Sequence, residues 1–506
     1  MTSRFLPWTG HPGGLKTLFF TEAWERFSFY GMRALLVLYL TDATTGLGMA
    51  KDNALLIYAT YTGLVYLTPL FGGWLADRYL GQRISVLIGS VVMAAGHFAM
   101  AFDALFEMGL GLLIVGNGFF KPNVSTMVGG LYDDGDSRKD SGYTVFYMGI
   151  NLGAFFSPLV CGTLGEKVGW HWGFGAAGVG MIIGMLWFLA NERSLGSAGL
   201  PPGREVIGDG PHLLTSADKM RATWISALCI VGVALALVAK PALAFVWNMP
   251  PLIPEDANEL WRIAWRLVVI GGAIWLLNNI GKGKHAEPLS REEKDGLVMI
   301  GITTLAMAIF VVGLEQAGGT LNLFAKERTE LNIFGWEIPA SFFQSVNPAW
   351  IIILAPLFAR MWTGRFKGMP SVRRQAYGLM ILSVSFVVMF VAQKHSDALV
   401  ASNAEVGISP LWLITVYFFI TASELCISPV GLSVVQKLSP RHMVSMLMAT
   451  FFVGVFVANY LAGTLGQILE AWSINLWAFL FVFPLGCGVV WWLFTPWARK
   501  LSHGRD

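Results

Sequence analysis

The sequence predicts an all-α membrane protein of fourteen transmembrane helices, built as two six-helix bundles with pseudo-two-fold symmetry and two extra helices. Three observations predict it. Hydrophobic residues make up 55% of the 506 and charged residues only 13%, against roughly 25% charged in soluble domains. Apolar runs of about 20 residues, the length a helix needs to cross hydrocarbon, recur from one end of the chain to the other. Finally, two stretches of the first half return in the second.

The spans fall at 17–41, 53–77, 84–104, 108–131, 141–165, 171–190, 222–247, 259–280, 296–324, 340–362, 376–393, 409–436, 443–467 and 475–497. They divide the chain into a bundle over 1–190, a middle section of linkers and two inserted helices over 191–295, and a second bundle over 296–506. Basic residues test the count, because Lys and Arg collect in cytoplasmic loops. With both termini inside, the outside loops hold only Lys51, Lys167, Lys326, Arg328 and Lys394 of the 35 cations. Arg26, Arg33, Lys121, Lys240, Arg262 and Arg266 lie within or at the edge of spans, and the others face inside. One missed helix would invert everything after it. Trp261, Arg262, Trp265 and Arg266, around the second inserted helix, suit anchoring at a membrane interface. The N-terminus carries no cleavable leader pattern, so the first helix itself is expected to direct insertion.

The repeat is carried by LTPLFGGWLADRYLGQR, closing the second span, and LAPLFARMWTGRFKGMPSVRR, closing the tenth, so that Leu67 matches Leu354. FKPNVSTMVGGL in the fourth span matches ISPVGLSVVQKL in the twelfth. Paired repeats enclosing a midplane site are the architecture of secondary transporters.

The first helix is charged where lipid would forbid it. FFTEAWERFSFYGMR, 19–33, contains Glu22, Glu25, Arg26 and Arg33. At about 100° per residue, these four and Tyr30 fall within a sector of roughly 140°. Each charge costs roughly 2.5–3.5 kcal/mol at a helix centre facing lipid, so the stripe faces a polar cavity or fixed counter-charges. Glu22 and Arg26, one turn apart, can pair. Lys121, followed by Pro122, is the next intramembrane cation, and Pro122 favours a bend. Glu315 and Glu424 are the carboxylates of the second half. A zwitterion could bridge such halves, its carboxylate near the cations and its ammonium near the acids. His97, the lone membrane histidine, reads as a packing residue. The cysteines Cys161, Cys229, Cys426 and Cys487 lie far apart in apolar segments, without metal or disulfide spacing.

These motifs resemble a known family. GGWLADRYLGQR resembles the loop motif of the major facilitator superfamily. EAWERFSFYGMR resembles the ExxERFxYY motif of the proton-dependent oligopeptide transporter (PTR) family, and FYMGINLGAF (146–155) its FYxxIN signature. FFKPNVS, Glu315–Gln316, QSVNP (344–348) and ELCISP (424–429) follow in the family order. The resemblance covers essentially the whole chain, including the two inserted helices of bacterial members. It implies proton-coupled uptake of di- and tripeptides by alternating access, with no cofactor, by a monomer in the bacterial inner membrane with both termini cytoplasmic. It implies that Arg33 and Lys121 hold the peptide carboxylate with Arg26 nearby, that Asn151 and Asn347 bind backbone or amino groups, and that Glu424 meets the ammonium. It further implies Tyr30, Tyr66, Tyr147 and Phe451 as pocket lining, with Ser428 beside Glu424. Proton coupling would run through Glu22, Glu25, Arg26, Lys121, Glu315 and Glu424. Arg33–Glu315 and Lys121–Glu424 would be gating pairs between the halves.

Three positions depart from the family pattern. Phe29 stands where a second Tyr is common, Phe451 where bacterial members often carry Trp, and Ala59 where animal members carry a proton-linked His. Coupling would then rest on carboxylates. Other substrates within the same architecture, such as nitrate or a peptidomimetic, stay open, although Glu424 and Glu315 disfavour a purely anionic ligand. The eight histidines are scattered, and no HExxH, GxSxG or nucleotide-binding loop is present, so neither enzyme chemistry nor ATP-driven pumping is expected. Nucleic acid is not an expected partner.

Overall fold

The computed structural model describes residues 8–133, 135–202, 213–238, 290–402, 407–440 and 443–503. The first bundle contains α1 (Gly13–Thr41), α2 (Lys51–Leu80), α3 (Gln82–Met100), α4 (Phe106–Gly129), α5 (Lys139–Val168) and α6 (Trp170–Ala190). The second contains α8 (Arg291–Arg328), α9 (Ala340–Thr363), α10 (Ser371–Ala401), α11 (Leu411–Leu438), α12 (Val444–Ala471) and α13 (Leu476–Leu501). Between them, α7 (Ser216–Val238) is the described part of the first inserted helix. The rest of that helix, the predicted span 259–280 and Trp261, Arg262, Trp265 and Arg266 lie outside the described residues.

Twelve of the described helices are long and apolar enough to cross a membrane. The helix missing from that set is α1, 29 residues long, because composition penalises its charges. Yet most of α1 is buried, its apolar residues Leu35, Leu36, Val37 and Leu40 completely so. The charged helix is therefore a core element shielded from lipid. By contrast, α7 lies on the outer face of α3 and α4 and leaves Trp224, Leu228 and Leu235 exposed. An apolar helix with so little of its surface covered by protein suits a lipid-facing position.

The two halves exchange contacts symmetrically. α2 packs on α12, and α9 packs on α5. Counted within each bundle, the second helix of one half meets the fifth helix of the other, in both directions. This is the relation a two-fold pseudo-axis imposes, and it explains why the sequence repeat falls at the ends of α2 and α9. Close approach is possible because small residues stand at the crossings. A Cβ on Gly463 of α12 would lie 2.5 Å from the Leu55 carbonyl oxygen of α2.

α1 and α8 run in the same direction and meet near their second ends, where the Asn322 amide donates to the Ala34 carbonyl (2.8 Å). The starts of both helices, together with the end of α13, thus mark one end of the molecule, the termini end. At the opposite, far end, the hairpin β1 (Asn332–Ile333) and β2 (Trp336–Glu337) follows α8. Its turn residues Phe334 and Gly335 both have positive φ, 53° and 84°, as tight hairpin turns require. The two prolines near the charged residues are both accommodated within helices. α4 continues through Pro122 without ending. Pro348 sits in the first α-helical turn of α9, after a short 3₁₀ stretch, Ala340–Ser345.

Candidate functional site

The charged stripe of α1 separates into two groups. Deeper toward the termini end, Arg26 Nε lies 3.1 Å from Glu22 Oε1 and also contacts the Glu25 carboxylate. These three side chains are 5%, 3% and 0% exposed. The predicted Glu22–Arg26 pair is formed, and Glu25 joins it. Two carboxylates share one guanidinium, and Glu22 Oε2, Glu25 Oε1 and Arg26 Nη2 have no hydrogen-bond partner. Buried, half-satisfied acceptors of this kind are costly, and protonating one carboxyl would relieve the excess negative charge. Arg26 also lies over the Phe29 ring (5.1 Å). Phe29 is buried and stacked on Tyr61 (6.3 Å), so an aromatic surface replaces the missing hydroxyl.

The second group joins the halves. Arg33 Nη2 is 2.8 Å from Glu315 Oε2. Tyr58, on α2, completes it: its hydroxyl accepts from Arg33 Nε (2.7 Å) and donates to Glu315 Oε2 (2.8 Å). Glu315 can reach across because α8 breaks there, at the turn Glu315–Ala317 before Gly318 and Gly319. Gln316 ties this break to α12 through the Ala462 carbonyl (2.8 Å), and Gln344 of α9 donates to the Ala317 carbonyl. Gly318 has no room for a side chain, since a Cβ would lie 2.1 Å from the Tyr58 hydroxyl. Tyr58 was absent from the sequence-derived set. The signal for it was chemical: a phenol in mid-span needs a hydrogen-bond partner.

The remaining predicted residues form a partly exposed lining. Lys121 Nζ sits 4.0 Å from the Tyr66 ring centroid. Asn347 Nδ2 donates to Glu424 Oε2 (3.1 Å) and to Thr421 Oγ1 (2.9 Å). Tyr30, Ser428 and Tyr147 all retain exposed surface. The Asn151 amide is buried and donates to the Tyr147 carbonyl (2.9 Å). Two expectations need correction for this conformation. Lys121 and Glu424 form no ion pair, since the cation rests on an aromatic face and the acid is held by Asn347. Phe451 is 1% exposed, packed against Phe452 and Gly431, and presents no surface to a ligand. His97 is buried without a hydrogen-bond partner, consistent with a packing position.

Further links between the halves cluster at the far end. The Glu166 carboxylate, from the end of α5, accepts from the backbone N–H groups of Ala340 (3.0 Å) and Ser341 (2.9 Å), where α9 begins. Lys326 stands 3.7 Å from Glu166. Lys167 pairs with Glu337 (2.6 Å), and Lys51 with Glu327 (2.6 Å). The Lys167 ammonium bonded to Glu337 holds that exposed carboxyl below the usual range. At the termini end, the described hydrogen bonds and ion pairs stay within one half, such as Arg138–Asp136 and His503–Asp295. Among the described residues, the inter-half links named here therefore close the site at the far end, whereas the pairs named at the termini end do not join the halves.

Comparisons with known proteins agree with this architecture. The POT family model matches residues 83–208 and 276–479. The chain is 38% identical over 452 residues to the uncharacterized transporter YclF of Bacillus subtilis, covering 88% of this chain and 85% of that protein. It is 35% identical over 493 residues to the peptide transporter YePEPT of Yersinia enterocolitica, covering 93% and 91%. A crystal structure of a peptide transporter POT in complex with sulfate superposes with a TM-score of 0.77 at 35% identity, covering 97% and 96%. With a family model matching most of its length and relatives above 30% identity along nearly all of it, this chain belongs to the POT family, a family of transporters.

Proposed function

We propose that this protein takes up di- and tripeptides together with protons by alternating access. The observation that carries the reading is the asymmetry of the site. Arg33 is locked to Glu315 across the halves, while Lys121 and Glu424, one from each half, remain unpaired with each other and partly exposed. A peptide zwitterion supplies the missing pair, its carboxylate meeting Lys121 and its ammonium meeting Glu424. Tyr30, Tyr66, Tyr147, Asn151, Asn347 and Ser428 would shape the pocket. Phe451 would join it only after α11 and α12 move apart.

The Glu22–Glu25–Arg26 group suits the proton. Protonating one carboxyl loosens Arg26, strengthens the positive field around the peptide carboxylate, and couples the two bindings. Such coupling requires that proton and peptide bind the two conformations differently. A proton contributes about 1.4 kcal/mol per pH unit and about 2.3 kcal/mol per 100 mV, enough to accumulate a neutral zwitterion. The wide basic excess at the termini end supports a cytoplasmic location for both termini in the plasma membrane. Because each chain encloses its own pseudo-symmetric site, the monomer would be the working unit.

The test is uptake of labelled dialanine by proteoliposomes under an inward proton gradient and an inside-negative potential. Wild type should accumulate peptide. Lys121→Ala and Glu424→Gln should lose uptake through weaker binding, whereas Glu22→Gln should lose accumulation but keep peptide exchange. No uptake of any di- or tripeptide by folded wild-type protein would refute the substrate assignment.

A further inference from the structure

A second charged site lies outside the transport path. Between the start of α10 and the end of α13 is a cavity of about 320 Å³ lined by Pro370, Arg373, Thr495, Pro496, Arg499 and Lys500. Three cations thus converge on one small space. None of the three forms an ion pair with a described residue, and Arg373 Nε is screened from solvent without a hydrogen-bond partner. Asp295, an acid at the same end, is already engaged by His503 at 2.8 Å. The first turn of α10 adds a helix N-terminus, which favours anions. Around the cavity, Trp492, Phe494 and Trp497 are 42%, 52% and 44% exposed. Aromatic rings of this kind sit at headgroup depth in a bilayer. The Arg373 guanidinium lies 6.0 Å from the Trp492 ring, which joins the cation of α10 to the aromatic residues of α13.

We propose that this cavity binds a phosphate group carried by an anionic phospholipid of the leaflet at the termini end. Two simpler roles exist for these cations. Arg499 and Lys500 complement the C-terminal dipole of α13, and basic residues at this end orient the chain during insertion. Neither role requires Arg373, from another helix, to share a cavity with them, nor an aromatic rim at headgroup depth. A bound headgroup would bridge the ends of α10 and α13, which pack along each other, within the second bundle.

The experiment uses the purified full-length protein in detergent and native mass spectrometry. Phosphatidylglycerol, phosphatidylcholine and inorganic phosphate are titrated separately and in competition. Wild type should retain phosphatidylglycerol over phosphatidylcholine, and inorganic phosphate at equal concentration should not displace it. Arg373→Gln/Arg499→Gln/Lys500→Gln should weaken phosphatidylglycerol binding by at least about tenfold, since each surface cation contributes roughly fivefold to anionic-lipid affinity. Arg360→Gln/Arg365→Gln/Lys367→Gln removes the same charge from the end of α9 and the loop after it, and should change it little. Equal losses from both triple variants would mean diffuse attraction and would overturn the site. Displacement by inorganic phosphate would overturn the lipid assignment in favour of a free anion. If the first triple variant does not fold, Lys500→Gln alone should weaken binding about fivefold, and an unchanged affinity would count against the proposal.

Discussion

Tyr58 shows how one hydroxyl can govern a large movement. It is 1% exposed and bonded on both sides, to Arg33 and to Glu315. Removing it leaves Arg33 Nε and one lone pair of Glu315 without partners in a buried place. Hydrogen bonds involving charged groups contribute about 1.5–3 kcal/mol. Tyr58→Phe should therefore favour opening of the far end by roughly tenfold or more, with little change in overall stability. Cysteine accessibility near Tyr58, measured without substrate, would report the shift, and an unchanged accessibility would remove Tyr58 from the latch. The charges of α1 were legible in the sequence because a single helix wheel exposes them and lipid cannot hold them. Tyr58 was not, because its role depends on two partners from two other helices. The burial of Phe451 in this conformation was not legible for a related reason: position along a helix gives depth in the membrane, but not whether a neighbour such as Gly431 admits the ring.

At the level of elements, the far end is closed by termini of helices as much as by side-chain pairs. Glu166 reaches from the end of α5 to the exposed N–H groups at the start of α9, where unpaired donors and the helix dipole favour a carboxylate. Glu166→Gln halves the acceptor capacity and removes the charge. The amides of Ala340 and Ser341 should then exchange with deuterium roughly tenfold faster, following the ~1.5 kcal/mol of a charged hydrogen bond. Exchange mass spectrometry of the 338–345 segment reads this, and unchanged protection would show that the start of α9 is held by packing alone. Lys167–Glu337 behaves differently with pH. Its carboxyl is held below the usual range, so the pair is intact above that range and breaks only as pH falls through the lowered value. Glu337→Gln should leave the pH dependence of uptake between about pH 5.5 and 7.5 unchanged, because that carboxyl is already ionised throughout; a shifted profile would bring Glu337 into proton coupling. Among the described helices most spans were legible from hydropathy to within about five residues, but α10 runs from Ser371 to Ala401 where 376–393 was expected. The Glu166 latch was not, since backbone N–H groups leave no mark in a sequence.

For the whole molecule, the repeat in the sequence predicted two halves, and the crossed packing of α2 on α12 and α9 on α5 fulfils it. What a repeat cannot give is which end is shut. Lys121–Glu424 was expected as a partner latch to Arg33–Glu315, yet only the latter is formed. Two pairs at different depths across one pseudo-axis need not close together, because rocking the halves shortens one end as it lengthens the other. Lys121–Glu424, or the peptide between them, should therefore form as the far-end links break. Spin labels at Ser141 and Arg360, exposed on α5 and α9 near the termini end, and a second pair at Val168 and Phe334, exposed at the far end, would follow both ends by electron–electron distance measurement. Dialanine at low pH should shorten the first distance and lengthen the second in the same population. In Glu424→Gln the peptide loses its ammonium partner, and the first distance should stay long at any peptide concentration that saturates wild type. Shortening at the termini end with the far end unmoved would mean an occluded state instead of a rocking exchange. Shortening in Glu424→Gln equal to wild type would show that the halves are drawn together without this carboxylate, and the bridging role of the zwitterion would fall.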